Sequence, residues 1–289
     1  MKTISFINLK GGVAKTVTTA NIGWLLAKEH KKRVLLIDMD AQGHLSRFWG
    51  VRSSEKPSVA DLLTFSEGIR NVIQTPDFSR HENVTLDVVQ ANLSLITAAK
   101  EVLMDCTMPQ QMRLSKALQD VAGDYDFCLI DHAPSLDMAT INGLVASDFV
   151  VVPVEPDDFA LDGLDILTRQ VSALRDGYAP GLTLAGCLIC RYRPTVIANS
   201  AVCAVEQSGL PVFRSKIRTA CAVPKSYPKK KAALCRENVL RPTCKPDMDN
   251  IAKAVADALN GIAYHDDSGV SELYVSGSLN VFNHRTNVE

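Results

Sequence analysis

Lys10-Gly11-Gly12-Val13-Ala14-Lys15-Thr16 is the stretch that decides the fold. It follows a short β-rich run over residues 2–8, Lys-Thr-Ile-Ser-Phe-Ile-Asn, and precedes residues 16–29, which carry apolar groups at helical spacing with few breakers. That order reads as strand, glycine loop, helix. A second apolar run, Val34-Leu35-Leu36-Ile37, comes one helix length later and stops at Asp38, the spacing of a βαβ unit. The same form recurs at 127–131, 149–153 and 182–189, separated by segments of helical character near 136–146, 160–175 and 197–208. Residues 84–89 predict one more strand. Further helices are predicted over 110–122 and 248–260, the latter with Asp247 or Asp249 as N-cap. Strands that are apolar throughout, rather than alternating, are buried on both faces. The expected fold is therefore α/β: a doubly wound, mostly parallel sheet with helices on both faces.

The composition agrees. With 289 residues, 46% hydrophobic and 22% charged, disorder, collagen and coiled coil are excluded. One large domain over 1–261 is expected, followed by a polar extension over 262–289 that forms a hairpin around Ser276-Gly277-Ser278 or a frayed tail. No apolar run reaches the ~18 residues that cross a bilayer. The opening residues lead into the glycine loop rather than to a cleavage site, so a cytoplasmic location is expected. The extension has Arg285 and no lysine, which argues against a basic membrane-surface helix and against a membrane partner. The eight cysteines read as buried thiols in a reducing compartment. The net charge of −1 hides an uneven distribution: residues 209–245 hold ten Lys or Arg against Glu237 alone, a segment of +9. Such a segment is either a solvated face or a polyanion-binding one.

Between a strand and a helix, successive backbone N–H groups and the positive helix end converge on phosphate oxygens. In a P-loop of this kind Lys15 neutralises the β and γ phosphates and the Thr16 hydroxyl sits at Mg²⁺. The usual pattern would place glycine at 9 and 14, where this chain has Leu9 and Ala14. Asp38 and Asp40 end the second strand and Asp131 ends the strand of 127–131, so all three belong at the carboxyl edge beside the loop. Carboxylates beside a phosphate cradle suit Mg²⁺ and a positioned water.

These residues resemble the deviant Walker A ATPases of the ParA/MinD group, whose loop reads K-G-G-x-G-K-[ST], and the ParA (chromosome and plasmid partitioning) branch in particular. The early lysine is Lys10. Asp38-Met39-Asp40-Ala41-Gln42-Gly43 matches the family's D-x-D-P-Q-G, and Ile130-Asp131-His132-Ala133-Pro134-Ser135-Leu136 matches its I-D-x-P-P-S-L. Residues 140–148 and Val152-Pro153-Val154-Glu155-Pro156 add to the likeness, which is expected to run to about residue 260. The resemblance implies ATP held by Lys10, Gly11, Gly12, Val13, Ala14, Lys15 and Thr16, and Mg²⁺ held by Thr16, Asp38 and Asp131. Lys10, Lys15 and Asp40 would be catalytic, with Lys10 reaching across an ATP-bridged homodimer and Asp40 positioning the attacking water. It further implies a nucleoid-associated dimer that binds DNA without sequence preference through Arg214, Lys216, Arg218, Lys225, Lys229, Lys230 and Lys231, and a ParB-like centromere-binding partner that stimulates hydrolysis.

Three departures and three rivals accompany the likeness. Ala14 adds a methyl where backbone meets phosphate, which is expected to require a negative φ. Ala41 and Ala133 stand where the family has proline, loosening both switch segments. An iron–sulfur relative is disfavoured because Cys187 and Cys190, three apart in a strand, point to opposite faces. A nucleotide-dependent switch without turnover, or a MinD-like positioning ATPase, are the alternatives. His44 and His132 are expected to be structural or solvent-facing.

Overall fold

The computed structural model describes residues 1–219. Along the chain run β1 (Lys2–Phe6), α1 (Lys15–Lys28), β2 (Val34–Met39), α2 (His44–Phe48), α3 (Val59–Leu63), α4 (Ile69–Val72), β3 (Ile73–Gln74), α5 (Asp77–His81) and β4 (Leu86–Val89). There follow α6 (Ser94–Met104), a 3₁₀ turn (Gln110–Met112), α7 (Arg113–Gln119), β5 (Phe127–His132), α8 (Met138–Val145), β6 (Phe149–Val154), α9 (Leu164–Gly177), β7 (Thr183–Ile189) and α10 (Val196–Gln207). The strands form one sheet in the order β3-β4-β2-β5-β1-β6-β7. Every pairing is parallel except β3 with β4.

Neighbouring side chains of each central strand go to opposite layers, which is what a sheet covered on both faces requires. Leu36 and Leu129 pack with Ile22, Trp24 and Leu26 of α1, while Leu35, Ile37, Cys128 and Ile130 pack with α3, α6 and α8. Cys187 and Ile189 face α9 and α10 from β7, whereas Leu188 and Cys190 face the α1 layer. The two thiols that a cluster would need to share thus lie on opposite faces, as the strand period dictates. Cys128, Cys187 and Cys190 are buried, but Cys106 and Cys203 are exposed, against the expectation of buried thiols.

The chain moves outward from β1 to one sheet edge, returns through β5 and then proceeds past β1 to β6 and β7. This reversal opens a crevice at the carboxyl end of β1, where α/β sheets bind ligands. The stretch from residue 44 to 93 holds four helices of four or five residues and the two-residue β3, none of which the sequence reading identified. The helix predicted over 110–122 begins as α-helix only at Arg113, because Asn142 Oδ1 accepts the Arg113 and Leu114 amides at 2.9 and 3.3 Å and caps it from α8. The helix predicted over 248–260 and the extension over 262–289 lie outside the described residues.

Candidate functional site at the carboxyl edge of β1, β2 and β5

The phosphate loop leaves β1 and enters α1 through two left-handed residues, Gly12 at φ 79° and Ala14 at φ 67°. The expected negative φ at Ala14 is therefore wrong. The loop geometry overrides the side chain's preference, and an alanine occupies backbone where glycine is the unstrained choice. Lys15 opens α1 and is buried, its Nζ donating to the Lys10 carbonyl at 3.0 Å across the mouth of the loop. Burial lowers the Lys15 pKa, and Asp131 and then Asp40 oppose that shift. No acid stands in the first turn of α1, so its amide groups keep their partial positive charge for an incoming anion.

Asp38 and Asp131 are register partners at the ends of β2 and β5, both fully buried. Their surroundings differ. Asp38 Oδ2 accepts from the Ser46 amide at 2.8 Å and the Ser46 hydroxyl at 2.6 Å, and Oδ1 accepts from the Asp40 amide at 3.1 Å. Both of its oxygens anchor the turn that carries Asp40. Asp131 has two buried oxygens with no partner of hydrogen-bond geometry, although the Thr16 hydroxyl and Lys15 stand close enough to pull its pKa down. Burial and then Asp38 outweigh them, holding Asp131 well above the ordinary carboxylate range. An anion out of water, with its acceptors unused and a hydroxyl facing it, is the donor set that a hard cation fits. Among the described residues no group of three His, Cys, Asp or Glu side chains has metal-binding geometry, and of the expected metal set Thr16, Asp38 and Asp131, the Asp38 oxygens are already taken by Ser46 and the Asp40 amide. The cation would have to draw its other ligands from Thr16, phosphate and water.

Asp40 is half-buried at the turn after β2, its Oδ1 accepting from the Gln42 amide at 2.9 Å. Gly43 closes that turn at φ 62°, where a Cβ would meet the Ala91 carbonyl at 2.6 Å and the Arg52 Nε at 2.7 Å. Ala41 and Ala133 line a shared groove of about 440 Å³ with Asp40, Ile96, Leu136 and Met138. His132 is buried, with Nε2 bonded to the Ser5 hydroxyl at 2.8 Å, and burial drives its pKa down to about 3, so it is a neutral core group. His44 is exposed.

The loop after β6 supplies what the sequence reading missed. Lys10 Nζ donates to both carboxylate oxygens of Asp157, at 2.5 and 2.7 Å, and sits 5.7 Å from the Phe159 ring centre. Arg191 Nη1 donates to Glu155 at 3.0 Å and to the Gly12 carbonyl at 3.3 Å. The signal for this loop was an acid on either side of Pro156, but nothing in the sequence says which cations they hold. Arg214 and Arg218 are exposed and Lys216 Nζ lies 5.1 Å from the Tyr192 ring centre. Lys225, Lys229, Lys230 and Lys231 lie outside the described residues.

Comparison with known proteins matches residues 1–184 to the AAA domain family model. A second model, endodeoxyribonuclease RusA, matches residues 198–289, which takes in the whole basic segment and a part over which the ParA likeness was expected to continue. The sporulation initiation inhibitor protein Soj of Bacillus subtilis is 37% identical over 189 residues, 65% of this chain and 72% of Soj. The chromosome-partitioning ATPase Soj of Treponema pallidum is 35% identical over 191 residues, 66% of this chain and 72% of its own length. Among solved structures, a cobyrinic acid a,c-diamide synthase from Mycobacterium smegmatis with bound ATP analogue and magnesium is 32% identical, with a TM-score of 0.70 over 76% of this chain and 85% of that one. A plasmid partition protein of Borrelia burgdorferi bound to AMPPNP has a TM-score of 0.72 over 90% of this chain and 99% of that one at 20% identity, a likeness of fold alone. Together with the phosphate loop and the orphaned carboxylate beside it, these matches place the chain in the ParA/Soj family of P-loop ATPases.

Proposed function

We propose that the chain is a slow, Mg²⁺-dependent ATPase of the partition type, carried above all by one observation: the unpartnered, buried Asp131 next to Thr16 and Lys15. The chemistry a bound magnesium ion would supply here is neutralisation of the charge that develops on the phosphate oxygens. Thr16 and Asp131 would hold the cation, with the saturated Asp38 behind them in register. Lys15 and the loop amides of Gly11 to Thr16 bind the phosphates. Asp40, placed by Asp38 through its own amide, orients the attacking water. Lys10 leaves Asp157 to reach the nucleotide of a second copy, so that ATP converts a monomer into a sandwich dimer.

In this reading the dimer is nucleoid-associated and binds DNA without sequence preference through Arg214, Lys216, Arg218, Lys225, Lys229, Lys230 and Lys231. A ParB-like centromere-binding protein stimulates turnover, and the outcome is segregation of a plasmid or chromosomal element. The support is the similarity to the two Soj proteins and the +9 charge of residues 209–245. The experiment is measurement of mass in solution with ATP, ADP and neither, alongside phosphate release with DNA. A dimer with ATP alone and turnover lost in Lys15→Ala is the expected result. A monomer under all three conditions would end the proposal.

The RusA match favours a second reading for the same basic segment: endodeoxyribonuclease-type DNA binding that belongs to residues 198–289 rather than to the ATPase. Acids including Asp247, Asp249, Asp266 and Asp267 follow the basic run, and phosphodiester hydrolysis takes place at carboxylate-held divalent cations. The two readings separate cleanly. Partition-type retention of DNA needs ATP and leaves the DNA intact; the nuclease type is indifferent to ATP and cuts DNA when given Mg²⁺, and Asp249→Asn abolishes the cut.

A further inference from the structure

Two cations flank the phosphate loop, each held by an acid of the segment after β6: Lys10 by Asp157, and Arg191 by Glu155. Lys10 has its place in the reading above. Arg191 has none, and its setting is unusual. It follows the carboxyl end of β7 with φ at 54°, a left-handed backbone that an arginine adopts only where its surroundings over-determine it. They do so here. The Arg191 carbonyl accepts the Thr219 hydroxyl at 2.9 Å, and the next amide, of Tyr192, donates to the Ile217 carbonyl at 3.0 Å. The turn sends the guanidinium back over the sheet edge, where Nη1 reaches the Gly12 carbonyl and Glu155 together.

Nη1 carries both contacts, and Nε and Nη2 have no partner among the described residues. A guanidinium presents five N–H donors in a fixed fork, and its open edge matches two oxygens of a phosphate. Gly12 lies in the loop three residues before Lys15 opens α1. Inner phosphates seat on the amides of the first helical turn, so the outermost phosphate lies toward Gly12 and toward Arg191. We propose that Arg191 is a nucleotide-contacting residue that reads the terminal phosphate of ATP through the open edge of its guanidinium, while Glu155 and the Gly12 carbonyl hold it in place.

This rests on the ATPase reading, and the test separates the two. Dissociation constants for Mg-ATP and Mg-ADP are measured by calorimetry on the full chain for wild type, Arg191→Ala and Arg191→Gly, with Lys15→Ala as the control. Arg191→Ala is expected to weaken ATP about tenfold, the size of one charge-assisted contact, and ADP by no more than about twofold. Arg191→Gly removes the same charge while relieving the left-handed backbone, so it should lose ATP equally and melt no lower than wild type. Equal losses of ATP and ADP, or no loss of either, would overturn the role of Arg191. Wild-type protein that binds neither nucleotide would instead overturn the ATPase reading.

Discussion

The ends of β2 and β5 lie side by side with Asp38 opposite Asp131, and the fold uses the two carboxylates in opposite ways. At β2 the acid is saturated by the Ser46 amide and hydroxyl and by the Asp40 amide, and its oxygens fix a turn. At β5 the acid is left with two unused oxygens. One is scaffold; the other, which the proposed function assigns to a ligand, is buried without a hydrogen-bond partner, at a cost in stability. The largest expected effect follows from this contrast. Asp131→Asn should lower ATP turnover by more than about a hundredfold, since loss even of groups behind a metal ligand costs 10–100-fold. The same variant should stabilise the nucleotide-free protein by roughly 1 kcal/mol, a rise in Tm of about 2–4 °C, because a buried charge without partners gives way to a neutral amide. The folded pKa of Asp131 is raised, so its contribution is most favourable at low pH and is lost as pH rises past the ordinary carboxylate range. The gain in Tm should accordingly grow with pH. Differential scanning calorimetry at two pH values checks it, and a variant that melts lower than wild type at both would remove the distinction between the two acids.

Asp38→Ala should move stability the other way. It strips the acceptor from the buried Ser46 amide and hydroxyl and from the part-buried Asp40 amide, which costs about 2–3 kcal/mol even after repulsion from Asp131 is relieved. Ser46→Ala is the milder probe of the same turn. The Ser46 hydroxyl donates to Asp38 and accepts from the Ala91 amide at 2.9 Å, so its loss should cost about 1–2 kcal/mol in a urea melt without changing m. If Ser46→Ala also lowers turnover while ATP affinity holds, the turn is confirmed as the support of Asp40. If neither stability nor turnover changes, the saturation of Asp38 has no energetic weight.

Much of this sheet was legible because parallel strands buried on both faces announce themselves as apolar runs, as β2, β5, β6 and β7 do, whereas β1, with Thr3 and Ser5 alternating with Ile4 and Phe6, was legible from its β-rich composition ahead of the glycine loop. α6 was missed although its signal was present, with Leu95, Ala98, Ala99 and Val102 at helical spacing. The capping box of Ser58 and Asp61 at α3 was likewise readable. β3 was not: two residues carry no period, and it exists only because Ile73 and Gln74 meet Val89 and Val88. At the site, position was legible and partnership was not. Strand ends put Asp38, Asp40 and Asp131 at one edge, but which of them is satisfied depends on Ser46, a residue that arrives through the turn after β2. The pairing of Lys10 with Asp157 and of Arg191 with Glu155 likewise joins segments about 147 and 36 residues apart, beyond any local pattern.

The smallest expected effect concerns the loop itself. Ala14 at φ 67° carries a Cβ in a region that disfavours L residues by roughly 1–2 kcal/mol, and Gly12, two residues earlier at φ 79°, does not. Ala14→Gly removes that penalty but adds freedom to the unfolded chain worth somewhat under 1 kcal/mol, so the net gain should be about 0.5–1 kcal/mol, or 1–4 °C in Tm. ATP binding should change little, because the backbone already holds the left-handed conformation that the loop needs and only the strain is relieved. A fall in Tm would mean that the Ala14 methyl, packed at the edge of the α1 layer, contributes more than its backbone costs.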